Sequence, residues 1–508
     1  MTSDGRRSLP DFPSKFQPQR FLYILMPLAL LPCWAAAQTR CEELTSLALK
    51  NVSITSAESV AAGTGRGLPA YCRVTATSRP TSDSEIKIEV WMPASGWNGK
   101  FQANGNGGWT GSINPRTLSN GLLRGYATAM TDTGHEGASA SFALGHPEKL
   151  IDFGYRSSHE MTITAKAIVT AHYGRAPKFS YWVGCSAGGR QALAEAQRYP
   201  SDFDGIIAGA PGLNWTGRAL ESIWVAQAVH KDEASYIPAG KYPLIHRAVL
   251  QACDAQDGLQ DGILTDPTRC QFDPGTLDCA GGDGAACLSA AQVEAARKIY
   301  SRRTNSRTHR LVIPGLARGS ELGWAIMGSP KPLDLGLDLF KYVVFEDPNW
   351  DYKTFQFDRD VDRTLKAERG VLDALDPNLK PYFDRGGKLI QYHGWSDPQI
   401  PPGFSVDYYE KVLETLSGRA LESSYRLFMV PGMGHCGGGE GTSSFDMLTA
   451  LEQWVENGKT PDRITASRIK DGSTDRTRPL CPYPQVAVYS GTGNPDDAAN
   501  FTCQAQRR

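Results

Sequence analysis

Phe179-Ser-Tyr-Trp-Val183 runs directly into Gly184-Cys185-Ser186-Ala187-Gly188-Gly189, and an alanine-rich helical pattern continues to Tyr199. A short apolar run closed by glycine reads as a buried strand, and the stretch beyond Ser186 reads as a helix. The join contains Gly-x-Ser-x-Gly. Roughly 0.4 chance matches to that pattern are expected in a chain this long, so its meaning comes from its place between strand and helix. There the serine backbone is strained, the glycines remove Cβ atoms that would clash, and the hydroxyl projects above a sheet. The first N–H groups of the helix lack intrahelical partners and lie at its positive end, which suits a developing oxyanion. Ser186 is the candidate nucleophile, with the N–H of Ala187 as first oxyanion donor. Gly108, in the loop Asn104-Gly-Asn-Gly-Gly-Trp109, is the candidate second donor. A tight packing turn without chemistry is the competing reading of the same residues.

Working outward, the pattern alternates strand and helix. Strands are expected at 85–92, 126–131, 205–209, 387–392 and 426–430, and helices at 157–173 and 445–457. Such alternation predicts a mostly parallel sheet with helices on both faces. Between about 215 and 380 the periodicity lapses into aspartate, glycine, proline, tryptophan and close-spaced cysteines, as in an insertion forming a lid or binding loops.

A serine hydroxyl needs a base and an orienting carboxylate, which follow in the order Ser, Asp, His on such a scaffold. His393-Gly-Trp-Ser-Asp397-Pro follows one late strand and Pro431-Gly-Met-Gly-His435-Cys436 follows the next. Both motifs therefore fall at strand C-terminal ends, where sites of open α/β sheets lie. Asp397 is assigned as orienter and His435 as base; His393 is the rival base, but its place at the strand end, ahead of the carboxylate, favours a structural histidine packed under the site.

The 508 residues are 41% hydrophobic and 21% charged, enough for a sizeable core, and the formal net charge is −1. That balance leaves no excess positive field for a nucleic acid backbone or an anionic membrane surface. The basic residues Arg6, Arg7, Lys15 and Arg20 precede an apolar run, Phe21 to Ala37, that ends in small residues. This is the pattern of a secretory signal peptide over 1–37, so export to the periplasm or beyond is expected. Loss of Cys33 with the leader leaves an even set of ten cysteines, which reads as disulfides in an oxidising compartment. Sequence does not fix connectivity. Locality suggests Cys41 with Cys72, Cys253 with Cys270, Cys279 with Cys287 and Cys481 with Cys503. That leaves Cys185 and Cys436, one beside the nucleophile and one beside the base.

Gly-Cys-Ser-x-Gly-Gly, the Ser-Asp-Pro loop and Gly-His-Cys together resemble the tannase and feruloyl esterase family, over nearly all of the chain beyond the leader. The resemblance implies an α/β-hydrolase core over 38–215 and 380–508, with a lid over 216–379. It implies hydrolysis of esters of aromatic acids, and it supports the pairing of Cys185 with Cys436 and the four local pairs. Asp254-Ala-Gln-Asp257-Gly-Leu259-Gln-Asp261-Gly-Ile263 gathers hard oxygen donors in a glycine-kinked loop suited to calcium. By resemblance, Asp254, Asp257, Asp261 and the carbonyls of Leu259 and Ile263 are the expected ligands.

The expected activity is a secreted serine esterase working through an acyl-enzyme on a small aromatic ester such as a feruloyl or galloyl ester. Alternatives are a terephthalate-monoester hydrolase, acyl transfer to an alcohol, and a calcium-stabilised polyphenol or carbohydrate binder without catalysis. The aromatic stretch from Trp324 to Trp350 is read mainly as core of the lid. Oligomeric state is not legible.

Overall fold

Short apolar runs spaced by helical segments give this chain its central sheet. The computed structural model describes residues 38–505 apart from 64–66, 281, 283, 306–308, 310 and 417–420; the expected leader, with Cys33, lies outside the described residues. Nine strands form the sheet: β1 (Val52–Val60), β2 (Tyr71–Ser78), β3 (Ile86–Pro93), β4 (Lys100–Asn104), β5 (Ala127–Thr131), β6 (Phe179–Cys185), β7 (Gly205–Gly209), β8 (Lys388–Gly394) and β9 (Tyr425–Val430). Their spatial order is β1-β2-β3-β5-β4-β6-β7-β8-β9. The first three run antiparallel, and β5 through β9 are mutually parallel. This is the expected α/β-hydrolase class of architecture.

Every strand expected from the sequence is present within about two residues. The helices follow suit: α1 spans Ser157–Tyr173, α2 Ala187–Arg198, and the late amphipathic helix Met447–Asn457. The expected ranges omit β2, β4 and the short hairpin Arg303–Thr304 with Leu311–Ile313, and two further sets of strands are not legible in the pattern. β1 is an edge strand whose serines and glutamate leave neither face fully buried. The C-terminal hairpins, Ile464–Lys470 with Ser473–Leu480 and Gln485–Tyr489 with Phe501–Ala505, are largely polar and exposed outside the region beside the core.

Register then fixes where the site falls. Cys185 pairs with Gly209, Gly209 with Tyr392, and Gly394 with Val430. The C-terminal ends of β6, β7, β8 and β9 thus share one edge, and the residues just beyond them are brought together without any long excursion.

The chain between β7 and β8 leaves the sheet. Its helices α3 (Trp215–Val229) and α4 (Tyr242–Cys253) pack with Leu264, Phe272, Val293, Ile299 and Trp324 into a hydrophobic cluster of their own. A second cluster joins Leu337, Phe340 and Leu372 to Trp109, Phe153 and Ala187 of the sheet region. The rings of the aromatic stretch serve these cores: Trp324 packs edge-on against Tyr300, and Phe340 stacks on Trp350.

All ten cysteines among the described residues are paired, and each pair is the expected one. Cys41–Cys72 ties the segment ahead of β1 to β2, and Cys481–Cys503 joins the two C-terminal hairpins. Within the inserted segment, Cys253–Cys270 closes the aspartate loop at the end of α4, and Cys279–Cys287 closes a turn of eight residues. These four bridges are local staples of the scaffold. The fifth, Cys185–Cys436, links residues far apart in the chain.

Arg190 of α2 ties the inserted segment to the sheet. Fully buried, its guanidinium donates to the carbonyls of Phe153 (3.0 Å), Gly154 (2.6 Å) and Leu372 (3.3 Å) and lies over the rings of Phe153 and Trp215. Removing it would strand these carbonyls in an apolar interior. Arg190→Leu is expected to lower the unfolding free energy by about 3 kcal/mol in urea titration. A loss below about 0.5 kcal/mol would show that the tie contributes little.

Candidate active site

Ser186 sits at the strand-to-helix turn with φ 64° and ψ −122°, a region that L-residues avoid unless the surroundings impose it. The surroundings do impose it. Ser186 N donates to Gly209 O, while its own carbonyl accepts from Arg190 N and Gly212 N. A Cβ on Gly184 would meet Gly188 O at 2.2 Å, and one on Gly189 would meet Gly209 O at 2.4 Å. The glycines of the motif are therefore needed for backbone to touch backbone.

Three side chains from three loops converge at this turn. Ser186 Oγ lies 2.9 Å from His435 Nε2, and His435 Nδ1 lies 2.7 Å from Asp397 Oδ2. Asp397 is wholly buried, and its Oδ1 accepts from the backbone N–H of Gln399 and Ile400. Burial alone would raise its carboxyl, but the hydrogen bonds from His393 and His435 outweigh that and hold it far below the usual carboxylate range. It stays an anion, able to fix the His435 tautomer with Nδ1 protonated and Nε2 free to accept from the serine. His393 Nε2 also donates to Asp397 Oδ2 (3.1 Å), and its Nδ1 accepts from Ser405 Oγ. His393 thus stands behind the carboxylate.

The glycine loop after β4 docks on the same helix start. Gly188 N donates to Asn106 O, and Gln191 exchanges two hydrogen bonds with Asn106. Gly108 adopts φ 53°, and Trp109 anchors the loop by donating to Leu335 O. The Ala187 and Gly108 N–H groups have no protein acceptor among the described residues. Cys185 and Cys436, the immediate neighbours of Ser186 and His435, are joined across 251 residues. By chain entropy such a cross-link stabilises the native state by about 5 kcal/mol.

The aspartate loop lies close by. Asp257, Leu259, Asp261, Ile263 and Thr265 line a small cavity of about 30 Å³. Asp254 Oδ1 is buried without a hydrogen-bond partner, and Asp261 Oδ2 is taken by Arg478 (2.6 Å) and Arg476 (3.4 Å). The mutual 4.8 Å spacing reached by His159, Glu195 and Asp202 is not reached by these aspartates. Asp254 does not line that cavity and Arg478 does, so what suits a calcium ion here is the set of hard donors along the loop together with the orphaned buried oxygen of Asp254.

A larger cavity of about 350 Å³ opens beside the base, between the inserted segment and the loops that carry Asp397 and His435. Its walls include Leu250, Ile263, Leu322, Ile326 and Pro398, and His435 is exposed to it. At its polar side, His246 of α4 is held between two carboxylates, Glu321 Oε2 (2.7 Å) and Glu440 Oε2 (2.9 Å). Nothing in the sequence singles out His246: it is an isolated histidine in a helix, with partners 75 and 194 residues away.

Comparison with known proteins finds relatives over nearly the whole of the described chain. A family model described as "Tannase and feruloyl esterase" matches residues 72–329 and 337–504. Feruloyl esterase B of Aspergillus niger is 32% identical over 95% of this chain and 99% of its own length. The mono(2-hydroxyethyl) terephthalate hydrolase of Piscinibacter sakaiensis is 34% identical over 88% and 86% of the two chains. The crystal structure of feruloyl esterase B from Aspergillus oryzae superposes with a TM-score of 0.86 at 29% identity, covering 91% of this chain and 99% of that one.

The His246 bridge has a pH consequence. Burial disfavours its charge, but the hydrogen bonds to Glu321 and Glu440 prevail and push the imidazole up to about 9. Glu321 is further engaged by Tyr300 Oη, and Arg468 stands near Glu440. A group raised on folding gives stability that is complete below its unfolded value of about 6.5 and lost as pH rises through about 9. Wild type should therefore lose about 2–3 kcal/mol more than His246→Gln between pH 6 and pH 9.5 in paired urea titrations. Parallel curves for the two proteins would exclude a charged bridge.

Proposed function

The chain belongs to the tannase and feruloyl esterase family and is a carboxylic ester hydrolase, and on that premise we propose that it is an exported serine esterase that cleaves esters of aromatic acids. The observation that carries the serine mechanism is the continuous hydrogen-bonded line from Ser186 Oγ through His435 to Asp397. In the first half-reaction His435 Nε2 takes the Ser186 proton as Oγ bonds to the acyl carbon. The carbonyl oxygen becomes an oxyanion facing the N–H groups of Ala187 and Gly108, and the ester C–O bond breaks as His435 returns the proton to the leaving oxygen. Water then repeats the sequence on the acyl-enzyme. Asp397 keeps the imidazole oriented, and His393, through Asp397, is a positioning residue.

Aromatic acyl groups are favoured by the relatives: one is named for feruloyl esters and another for a terephthalate ester. Export is supported by the five disulfides and by the leader-like segment over 1–37. We assign a structural calcium ion to Asp254, Asp257, Asp261 and the carbonyls of Leu259 and Ile263. Bound there, it would neutralise clustered carboxylates and fix the loop. Its contribution is stability, since none of Ser186, Asp397 and His435 belongs to this loop, which reaches the cleft wall only through Gly262, Ile263 and Leu264.

Purified protein should release the acid from at least one of methyl ferulate, methyl gallate and a terephthalate monoester. Ser186→Ala should reduce that turnover by about 10⁴-fold or more, with an unchanged circular dichroism spectrum, and should abolish labelling by a fluorophosphonate. Turnover persisting in the variant would refute the assignment of the nucleophile. Chelation by EGTA should lower the melting temperature by several degrees, and added calcium should restore it. An unchanged melting curve would remove the ion from the account.

A further inference from the structure

We propose that the cavity bounded by His435, Leu322, Ile326, His246 and Glu440 is the subsite for the leaving alcohol, and that it selects alcohols with an apolar body and a terminal hydroxyl donor. The assignment rests on the esterase reading above and extends it to the half of the substrate that departs.

Position comes first. His435 lines the cavity together with Gly434, Gly439 and Glu440 from its own loop, and with Ser396, Pro398 and Gln399 from the loop of Asp397. Of the triad, His435 alone is among its lining residues; Ser186 and the oxyanion donors Ala187 and Gly108 are not, so the cavity lies on the imidazole side of the serine. Microscopic bookkeeping of the proton then decides which half of the ester lies here. The proton leaves Ser186 Oγ, rests on His435 Nε2 and ends on the alkoxide oxygen as its bond to the acyl carbon breaks. The leaving oxygen must therefore be within reach of the imidazole, on its side of the serine, and the rest of the alcohol must extend from there.

Chemistry comes second. The volume of about 350 Å³ falls at the lower end of ligand pockets, enough for a side group of several heavy atoms. Leu322 and Ile326 are among the few large apolar side chains that remain exposed, at 46% and 39%, and both face this space. Their exposure is accounted for if an apolar body lies against them. Glu440 Oε2 is engaged by His246, yet the side chain remains half exposed, and its other oxygen has no protein partner among the described residues. His246 is itself locked between Glu440 and the buried Glu321, so the carboxylate is held in place before any ligand arrives. A fixed carboxylate oxygen at the rim of an apolar slot accepts from a hydroxyl and rejects a methyl group.

The test uses ferulate esters of methanol, 1-pentanol and 1,4-butanediol, the last two being close in size and differing in the terminal methyl or hydroxyl. Wild type should favour the 4-hydroxybutyl ester over the pentyl ester by about fivefold or more in kcat/KM. Glu440→Ala should bring that ratio close to one, and Glu440→Gln, which keeps an acceptor, should restore part of it. Leu322→Trp, a change at an exposed position, should cut both long-chain esters at least fivefold relative to methyl ferulate. An unchanged ratio in Glu440→Ala, or a Leu322→Trp loss that falls equally on methyl ferulate, would overturn the subsite. The same two alcohols as butyrate esters, whose acyl group is not aromatic, separate the two readings. Selectivity that appears there while ferulates are ignored keeps the subsite and rejects the proposed acyl group, whereas selectivity that follows the acyl group rejects the subsite.

Discussion

One contact of 2.9 Å, between Ser186 and His435, spans 249 residues of chain, and the site exists only while that contact is held. A lone hydrogen bond of net worth about 1 kcal/mol cannot order two loops. The restraint comes from three sources that share its ends. The parallel register brings the ends of β6, β8 and β9 to one edge, the Cys185–Cys436 bridge clamps the residues next door, and the glycines at 184, 188 and 189 allow backbone contact that any side chain would block. This frame offsets the strain at Ser186.

Much of that frame is legible in the sequence because it depends on local rules. The strand-to-helix turn, the order of Ser186, Asp397 and His435, and the vicinal cysteines all announce themselves by residue type and spacing. Short loops between Cys41 and Cys72, Cys253 and Cys270, Cys279 and Cys287, and Cys481 and Cys503 make those partners legible too, since near neighbours meet most readily. The parallel strands β6, β7 and β9 carry apolar runs, since both faces are covered, and so stand out against their surroundings. Edge strand β1 and the late hairpins do not, because a solvated strand rich in serine, threonine and arginine has the composition of a loop. His393 reads from sequence as a structural histidine, and its bond to Asp397 gives that position a purpose that spacing alone does not reveal. His246 escapes the sequence altogether. Its partners, Glu321 and Glu440, come from an inserted loop and from the base-bearing loop, and only the packing of α4 brings them together.

Charge placement separates the chemical centre from its margins. Asp397 is buried and anionic because two imidazoles and two backbone N–H groups solvate it in place of water. Arg218, buried nearby on α3, is drawn down to about 10 by the loss of water, and Asp397 counteracts part of that shift. Glu221, nearly one turn along the same helix, is raised well above the usual carboxylate range by burial. Asp397 is thus the carboxylate beside the base, and a second charged group, the His246 bridge to Glu321 and Glu440, lines the cavity next to it.

Chain order adds a temporal dimension. The nucleophile turn is complete once Gly209 and Gly212 have bonded to it, whereas the base and its bridging cysteine arrive only at 435 and 436. A polypeptide emerging amino end first, from a ribosome or through a translocation channel, presents a primed serine with nothing to deprotonate it for almost half its length. Such a nascent chain lacks its base, and the site is complete only once the loop beyond β9 has supplied His435 and Cys436.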